Sequence, residues 1–166
     1  MPDLLSHVLI GYIAGISLSW RVDWVGKEHV TLLLVGSILP DLSKATILVP
    51  DYRIESLLGI AFSWRVFHTT GGVLLIMLLI VIWVEENGRF RALGLLAGSG
   101  ATHQIADSLI FTPSGYVGKS YLWPLSNYRY PTPGLYQSTD WWLVVTIASF
   151  TLGAYVINRR SRSKEQ

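Results

Sequence analysis

Val73–Val84 reads VLLIMLLIVIWV, twelve residues without one charged or amide side chain. On a helix such a run is apolar all the way round, so no face of it can be given to water. A chain containing it must bury the segment completely or surrender it to lipid. Composition decides between the two. Only 14% of the 166 residues are charged, 51% are hydrophobic, and the mean hydropathy is +0.41. Soluble domains carry about 25% charge. Too little polar surface is left to coat a globule, which excludes a disordered chain, a nucleic-acid-binding arm and a solvated enzyme. The expected class is all-α: a polytopic helical membrane protein with a single transmembrane domain over residues 1–158.

A crossing needs about 20 mostly apolar residues. Five stretches qualify: residues 4–20, 29–49, 66–84, 92–111 and 141–157. The first is expected to be a retained span, because Asp3 replaces the positive start of a signal peptide and no small-residue cleavage site follows. The second is interrupted by Pro40-Asp41, and its Lys44 is expected to snorkel to the surface. The fourth is rich in small residues that allow close helix packing. Trp20, Trp24, Trp64, Trp83, Trp141 and Trp142 fall at or near the proposed ends, as an interfacial aromatic belt requires. Residues 54–64, apolar but short, suggest a re-entrant or interface-lying helix.

The formal net charge is +2, and most of the excess sits in the basic tail 159–166, with Arg159, Arg160, Arg162 and Lys164. A cytoplasmic tail flanking the membrane accounts for it better than a nucleic-acid partner. With the tail inside and five crossings, the N-terminus lies outside. Eight basic residues then face the cytoplasm and five face out, in the positive-inside sense.

Ionisable groups at membrane depth are costly and point to function. His7, Asp41, His68, His103 and Asp107 are the five to follow. His7 and His68 stand near the starts of spans one and three; Asp41, His103 and Asp107 stand in the later parts of spans two and four. Alternating spans bring all five to one membrane face. His29 starts the second span on the opposite face and serves as an internal control. With no cysteine in the chain, thiolate sites and disulfides are excluded. Imidazoles and carboxylates suit a divalent metal, zinc first. His103 and Asp107, at i and i+4, share one helix face; they could equally be an interhelical polar pair, and Asp41 a helix cap at Pro40. Asp3 is close enough to His7 to be a spare ligand, and Asp51 is expected to be solvated.

Residues 112–140 form the longest polar connection, with four prolines and five of the eight tyrosines. A loop of this length is usually a lid or binding element. It lies on the face carrying the histidines, and its cations Lys119 and Arg129 are candidates for neutralising a substrate phosphate. The alternative is a loop resting on the headgroups.

The ordered set Ser6-His7, Leu39-Pro40-Asp41-Leu42, His68-Thr69-Thr70-Gly71-Gly72, Thr102-His103 with Asp107, and Leu122-Trp123-Pro124-Leu125 resembles the membrane-bound metal-dependent hydrolases of bacteria and archaea. That family includes the inner-membrane hydrolase-like proteins described as LexA-regulated. The archaeal branch looks nearest, from the MPDLL-H start, Phe62-Ser63-Trp64, residues 112–116 and residues 131–136. Two positions depart from the family pattern. Ser43 stands where a second Asp is common, and Val73 stands where a second histidine would follow His68. The resemblance with fewer ligands implies a mononuclear site. A more distant likeness to the zinc phospholipase C and nuclease group implies phosphoester substrates.

The function expected is a metal-dependent hydrolase in the cell membrane. His7, Asp41, His68, His103 and Asp107, or a subset, would hold a divalent metal. Asp41 or Asp107 would act as general base, and Lys119 and Arg129 would bind substrate. The partner expected is membrane lipid or a lipid-linked ester or phosphoester. The alternative is a non-catalytic membrane protein that binds or passes a metal ion or proton.

Overall fold

The computed structural model describes residues 4–162. Asp3 and tail residues 163–166, Lys164 among them, lie outside the described residues. Within these bounds the chain is all-helical, with no strand longer than an isolated bridge. Six α-helices are described: α1 (Leu4–Ser19), α2 (Lys27–Ile38), α3 (Asp51–Leu58), α4 (Thr70–Ile82), α5 (Arg89–Ser108) and α6 (Trp141–Arg162). Three 3-10 segments connect them, Leu39–Ile47, Trp64–His68 and Glu86–Gly88.

α2 lies at the centre of the packing, against α1 on one side and α5 on the other; α4 joins α5, and α6 rests on α1. Close approach depends on missing side chains. A Cβ at Gly36 would fall 2.6 Å from the Leu96 carbonyl oxygen of α5. One at Gly11 would fall 2.8 Å from Ser37 Oγ of α2. Leu39, Val73, Met77, Val81, Ala92 and Leu96 fill the core that this contact brings together.

Each expected span coincides with a helical region, but the boundaries differ. The second is α-helical only to Ile38 and continues as a 3-10 helix through Ile47, because Pro40 has no N–H to offer the preceding turn. The third does not begin at residue 66. Residues 64–68 form a separate 3-10 turn, and Thr69 then caps α4, its Oγ1 accepting from Gly72 N at 3.1 Å. α5 begins three residues before the expected start and stops at Ser108, where Phe111 N turns to donate to Tyr136 O at 2.7 Å. α6 continues past Ile157 through Arg159 and Arg160. The expected helix over 54–64 is instead α3, ended by Gly59 at φ 67°, a left-handed conformation that glycine accepts without strain.

Among the described residues, two helical regions are long and apolar enough to cross a bilayer, Lys27–Ile47 and Trp141–Arg160. α1 and α4 are as apolar but shorter, about 24 and 20 Å at 1.5 Å per residue. Leu74, Leu75, Leu78, Leu79 and Ile82 of α4, and Val145, Phe150, Leu152 and Ile157 of α6, point outward uncovered. Contiguous apolar faces of this kind mark a membrane or partner surface.

Candidate metal centre

The five ionisable residues arrive from four separate pieces of chain. His7 comes from the first turns of α1, Asp41 from the 3-10 continuation of α2, and His68 from the last position of the 3-10 turn before α4. His103 and Asp107 stand one turn apart on α5. All five are buried and mutually close. The ligand-type atoms of His7, His103 and Asp107 lie within 4.8 Å of one another, as do those of Asp41, His68 and His103. His29 lies apart: its Nδ1 accepts from Gly26 N at 3.1 Å at the start of α2, and its ring meets Trp24.

Backbone carbonyls fix two of the rings. His103 Nδ1 donates to Ser37 O at 2.6 Å, and His68 Nδ1 donates to Pro40 O at 2.8 Å. A carbonyl can only accept, so in each ring the Nδ1 carries hydrogen. Ser37 stands in the last turn of α2, where the helix passes into the 3-10 segment at Leu39, and carbonyls at a helix end lack their intrahelical partner. In a neutral ring each Nε2 is then a bare lone pair aimed into the cluster. Metal-bound histidines are oriented by the same kind of outer hydrogen bond.

The inward atoms are mostly acceptors facing acceptors. His68 Nε2 meets Asp107 Oδ2 at 2.8 Å, and His7 Nε2 meets Asp107 Oδ1 at 3.4 Å. His103 Nε2 stands 3.6 Å from Asp107 Oδ2 and 3.9 Å from Asp41 Oδ1. The rings of His7 and His103 stack with centroids 3.6 Å apart. Among the described residues, His7 Nε2, His103 Nε2, Asp41 Oδ1 and Asp107 Oδ1 are buried without a hydrogen-bond partner. Unpaired buried polar atoms cost about 1–3 kcal/mol each, and here four converge. Tetrahedral nitrogen and oxygen ligands with bonds of about 2.0–2.2 Å stand about 3.3–3.5 Å apart. The wider spacings in the cluster approach that figure and exceed hydrogen-bond length, so the residues present fit a divalent cation. The second oxygen of Asp41 is already committed, accepting from Lys44 Nζ at 2.8 Å. Lys44 therefore turns inward to a carboxylate rather than serving only as a snorkelling cation.

The connection after α5 packs against the same cluster. The Tyr121 ring stacks on His68 at 6.2 Å, and the Tyr121 carbonyl accepts from Thr70 N at 2.8 Å. The Tyr136 hydroxyl donates to Ala106 O at 2.5 Å, beside Asp107 on α5. Burial first, then the nearby Asp107 carboxylate, holds both phenols above their ordinary ionisation range. Lys119 and Arg129 line a cavity of about 420 Å³ together with Arg65.

The description of the YdjM inner membrane protein family matches residues 1–165, almost the full chain. The chain belongs to this family. No curated protein and no solved structure matches it. Membership in the YdjM family agrees with the two bilayer-length helical regions and with the uncovered apolar faces of α4 and α6. In this YdjM-family chain, several contributors to the cluster carry no sequence signal of their own. The Ser37 and Pro40 carbonyls act through backbone, which no side-chain pattern reveals. Tyr121 was one tyrosine among five in the loop. Lys44 was legible in principle, three residues after Asp41 on a helical turn. Asp51, expected to be solvated, accepts from Thr46 Oγ1 at 3.2 Å and Ser63 Oγ at 3.0 Å.

Proposed function

We propose that the protein is a membrane-embedded, multi-pass, metal-dependent hydrolase acting on an ester or phosphoester, lipid-linked or drawn from the bilayer surface. The observation that carries the reading is the set of four buried, unpartnered ligand atoms from His7, Asp41, His103 and Asp107, with two of the rings held in the ligand tautomer. The residues that would hold the ion are His7, His68, His103 and Asp107, with Asp41 at the margin. Imidazole with carboxylate favours zinc. When bound, a divalent ion supplies Lewis acidity and brings the ionisation of water near neutral pH.

The chain's own residues divide the remaining work. Asp107 faces three imidazoles and is committed to them. Asp41 is less engaged with the imidazoles and keeps Oδ1 unpartnered, so it is the general base, receiving a proton at Oδ1 while Lys44 holds Oδ2. Tyr121 covers His68 and limits water at the cluster. Lys119 and Arg129 bind the substrate from the loop, which acts as a lid. Five crossings, with the N-terminus outside and the basic C-terminus cytoplasmic, complete the reading and set the site at the outer headgroup level.

Metal analysis of the purified protein beside His68→Ala and His103→Ala, with a screen of phosphoester and phospholipid turnover, tests it. About one equivalent of metal in the wild type, lost in both variants together with turnover, is expected. A wild-type preparation that is metal-free and cannot be reconstituted overturns the proposal.

A further inference from the structure

Beside the histidine cluster, the cavity of about 420 Å³ gathers Arg65, Lys119 and Arg129 with Ser63, Trp123 and Asn127. No acidic side chain lines it among the described residues. Its cations come from two distant parts of the chain and are tied to the cluster by short pieces of backbone. Arg65 belongs to the 3-10 turn that ends in His68, so one turn carries a cluster histidine and a cavity cation. Lys119 precedes by two residues the tyrosine that stacks on His68. The serine hydroxyls nearby are turned elsewhere: Ser63 Oγ donates to Asp51 Oδ2 at 3.0 Å and Ser120 Oγ to Asn127 O at 3.1 Å. Arg65 and Arg129 bring guanidinium donors to this lining, beside the Asn127 amide and the Trp123 indole.

Like charges gathered in one half-enclosed space repel, and an entering anion relieves the repulsion. Lys119 records that cost: burial, with Lys44 and Arg65 adding repulsion, brings its ammonium down to about 8 despite the attraction of Asp107 and Asp41. A neutral carboxylic ester gives three cations nothing to neutralise. A phosphate group presents several charged oxygens in different directions, which suits guanidinium forks and an ammonium arriving from separate segments.

We propose that this cavity is the subsite for the phosphate group of the substrate, with Arg65 as a specificity-determining residue beside Lys119 and Arg129. The inference rests on the hydrolase reading and narrows its substrates to phosphate esters. A soluble phosphate ester and a lipid phosphate headgroup offer the same chemistry.

The test uses the full chain in neutral detergent, both chelator-treated and zinc-loaded, titrated calorimetrically with glycerol phosphate. Saturable binding is expected in both forms. Arg65→Gln and Arg129→Gln should each weaken it about tenfold or more, the scale of one lost charged hydrogen bond. Arg65→Lys should restore part of the loss, and metal content should stay at the wild-type level. Because Arg65 and Arg129 sit on different segments, misfolding of one variant leaves the other to decide. Repeating the titration in nanodiscs separates the sources. Competition from phosphatidic acid but not phosphatidylcholine assigns a lipid headgroup; no competition from either assigns a soluble ester, and both results keep the subsite. Absent saturable binding in the wild type, or equal affinity in wild type and both glutamine variants, overturns it. Metal bound without anion binding sinks the subsite alone, whereas anion binding by a protein that takes no metal sinks the hydrolase reading and leaves the subsite.

Discussion

In its neutral form, each inward-facing imidazole at this centre whose outer nitrogen is fixed by a carbonyl presents a lone pair to a carboxylate, an arrangement that calls for a proton or a metal ion between them. Asp107 is the residue on which this can be tested. In Asp107→Asn the new amide could donate to His68 Nε2, across the 2.8 Å now separating that nitrogen from Oδ2. The variant should lose metal, while its chelator-treated form unfolds with a free energy equal to or about 1 kcal/mol above that of chelator-treated wild type. Thermal unfolding in detergent with parallel metal analysis measures both. A metal-free variant markedly less stable than metal-free wild type would show that His68 and Asp107 form an ordinary imidazolium–carboxylate pair. Lys119 gives a second residue-scale test, in pH. Its ammonium is held to about 8 by burial first, and only the charged form attracts an anion. Phosphate monoesters, with a second ionisation near pH 6, are already dianionic above about pH 7. Glycerol phosphate affinity should therefore be highest near pH 7, where the ester is dianionic and Lys119 still charged, and fall as pH rises through about 8. Lys119→Arg, which stays charged, should remove that fall in a titration series from pH 6.5 to about 9.5. The residues of the cluster were legible because so few ionisable side chains interrupt the apolar stretches. Their tautomers were not, since these depend on the Ser37 and Pro40 carbonyls.

At the scale of elements, the site depends on how closely α5 approaches α2, because α5 carries His103 and Asp107 while α2 supplies the Ser37 carbonyl. Gly36 sets that distance. In Gly36→Ala the new Cβ would meet the Leu96 backbone, with its carbonyl oxygen at 2.6 Å and its Cα at 2.9 Å, neither of which can rotate away. The helices must separate. Overpacking of this kind costs about 1–3 kcal/mol, and metal affinity should fall with stability as His103 is drawn from Ser37. Gly98 lies on α5 with open space around its Cβ position. Gly98→Ala should be neutral or stabilise by about 0.5–1 kcal/mol through helix propensity, with metal affinity unchanged. Unfolding midpoints and metal dissociation constants for the pair separate helix approach from helix propensity. The small residues of α5 had signalled close packing, but not which of them touches a neighbour. The breaks were only half legible. Pro40 marks the end of α2, whereas the division at Thr69 depends on a side-chain cap to Gly72 within the single expected span 66–84.

For the whole molecule, alternation of direction is what turns five scattered residues into one site. His7 stands near the start of α1 and His68 just before α4, whereas Asp41 follows the end of α2 and His103 and Asp107 stand toward the end of α5. In the proposed multi-pass arrangement, successive passes through a bilayer would bring these starts and ends together on one side. The indoles follow the same polarity. Trp20, at the end of α1, donates to Asn158 Oδ1 near the end of α6, and Trp83 is 92% exposed at the end of α4. Trp141 and Trp142 open α6 at the opposite level, with the cluster loop. The proposed orientation puts that loop outside and the turn between α4 and α5, with Arg89 and Arg91, inside. Because the chain has no cysteine, introduced thiols have no background. Leu125 in the loop is 93% exposed, and Asn87 between α4 and α5 is also exposed. In intact cells Leu125→Cys should react with a membrane-impermeant maleimide, while Asn87→Cys should react only after permeabilisation. Labelling of both from outside would break the alternation that unites the spans. The reverse pattern would leave the cluster intact but move it to the cytoplasmic face, so that substrate would have to reach it from the inner leaflet.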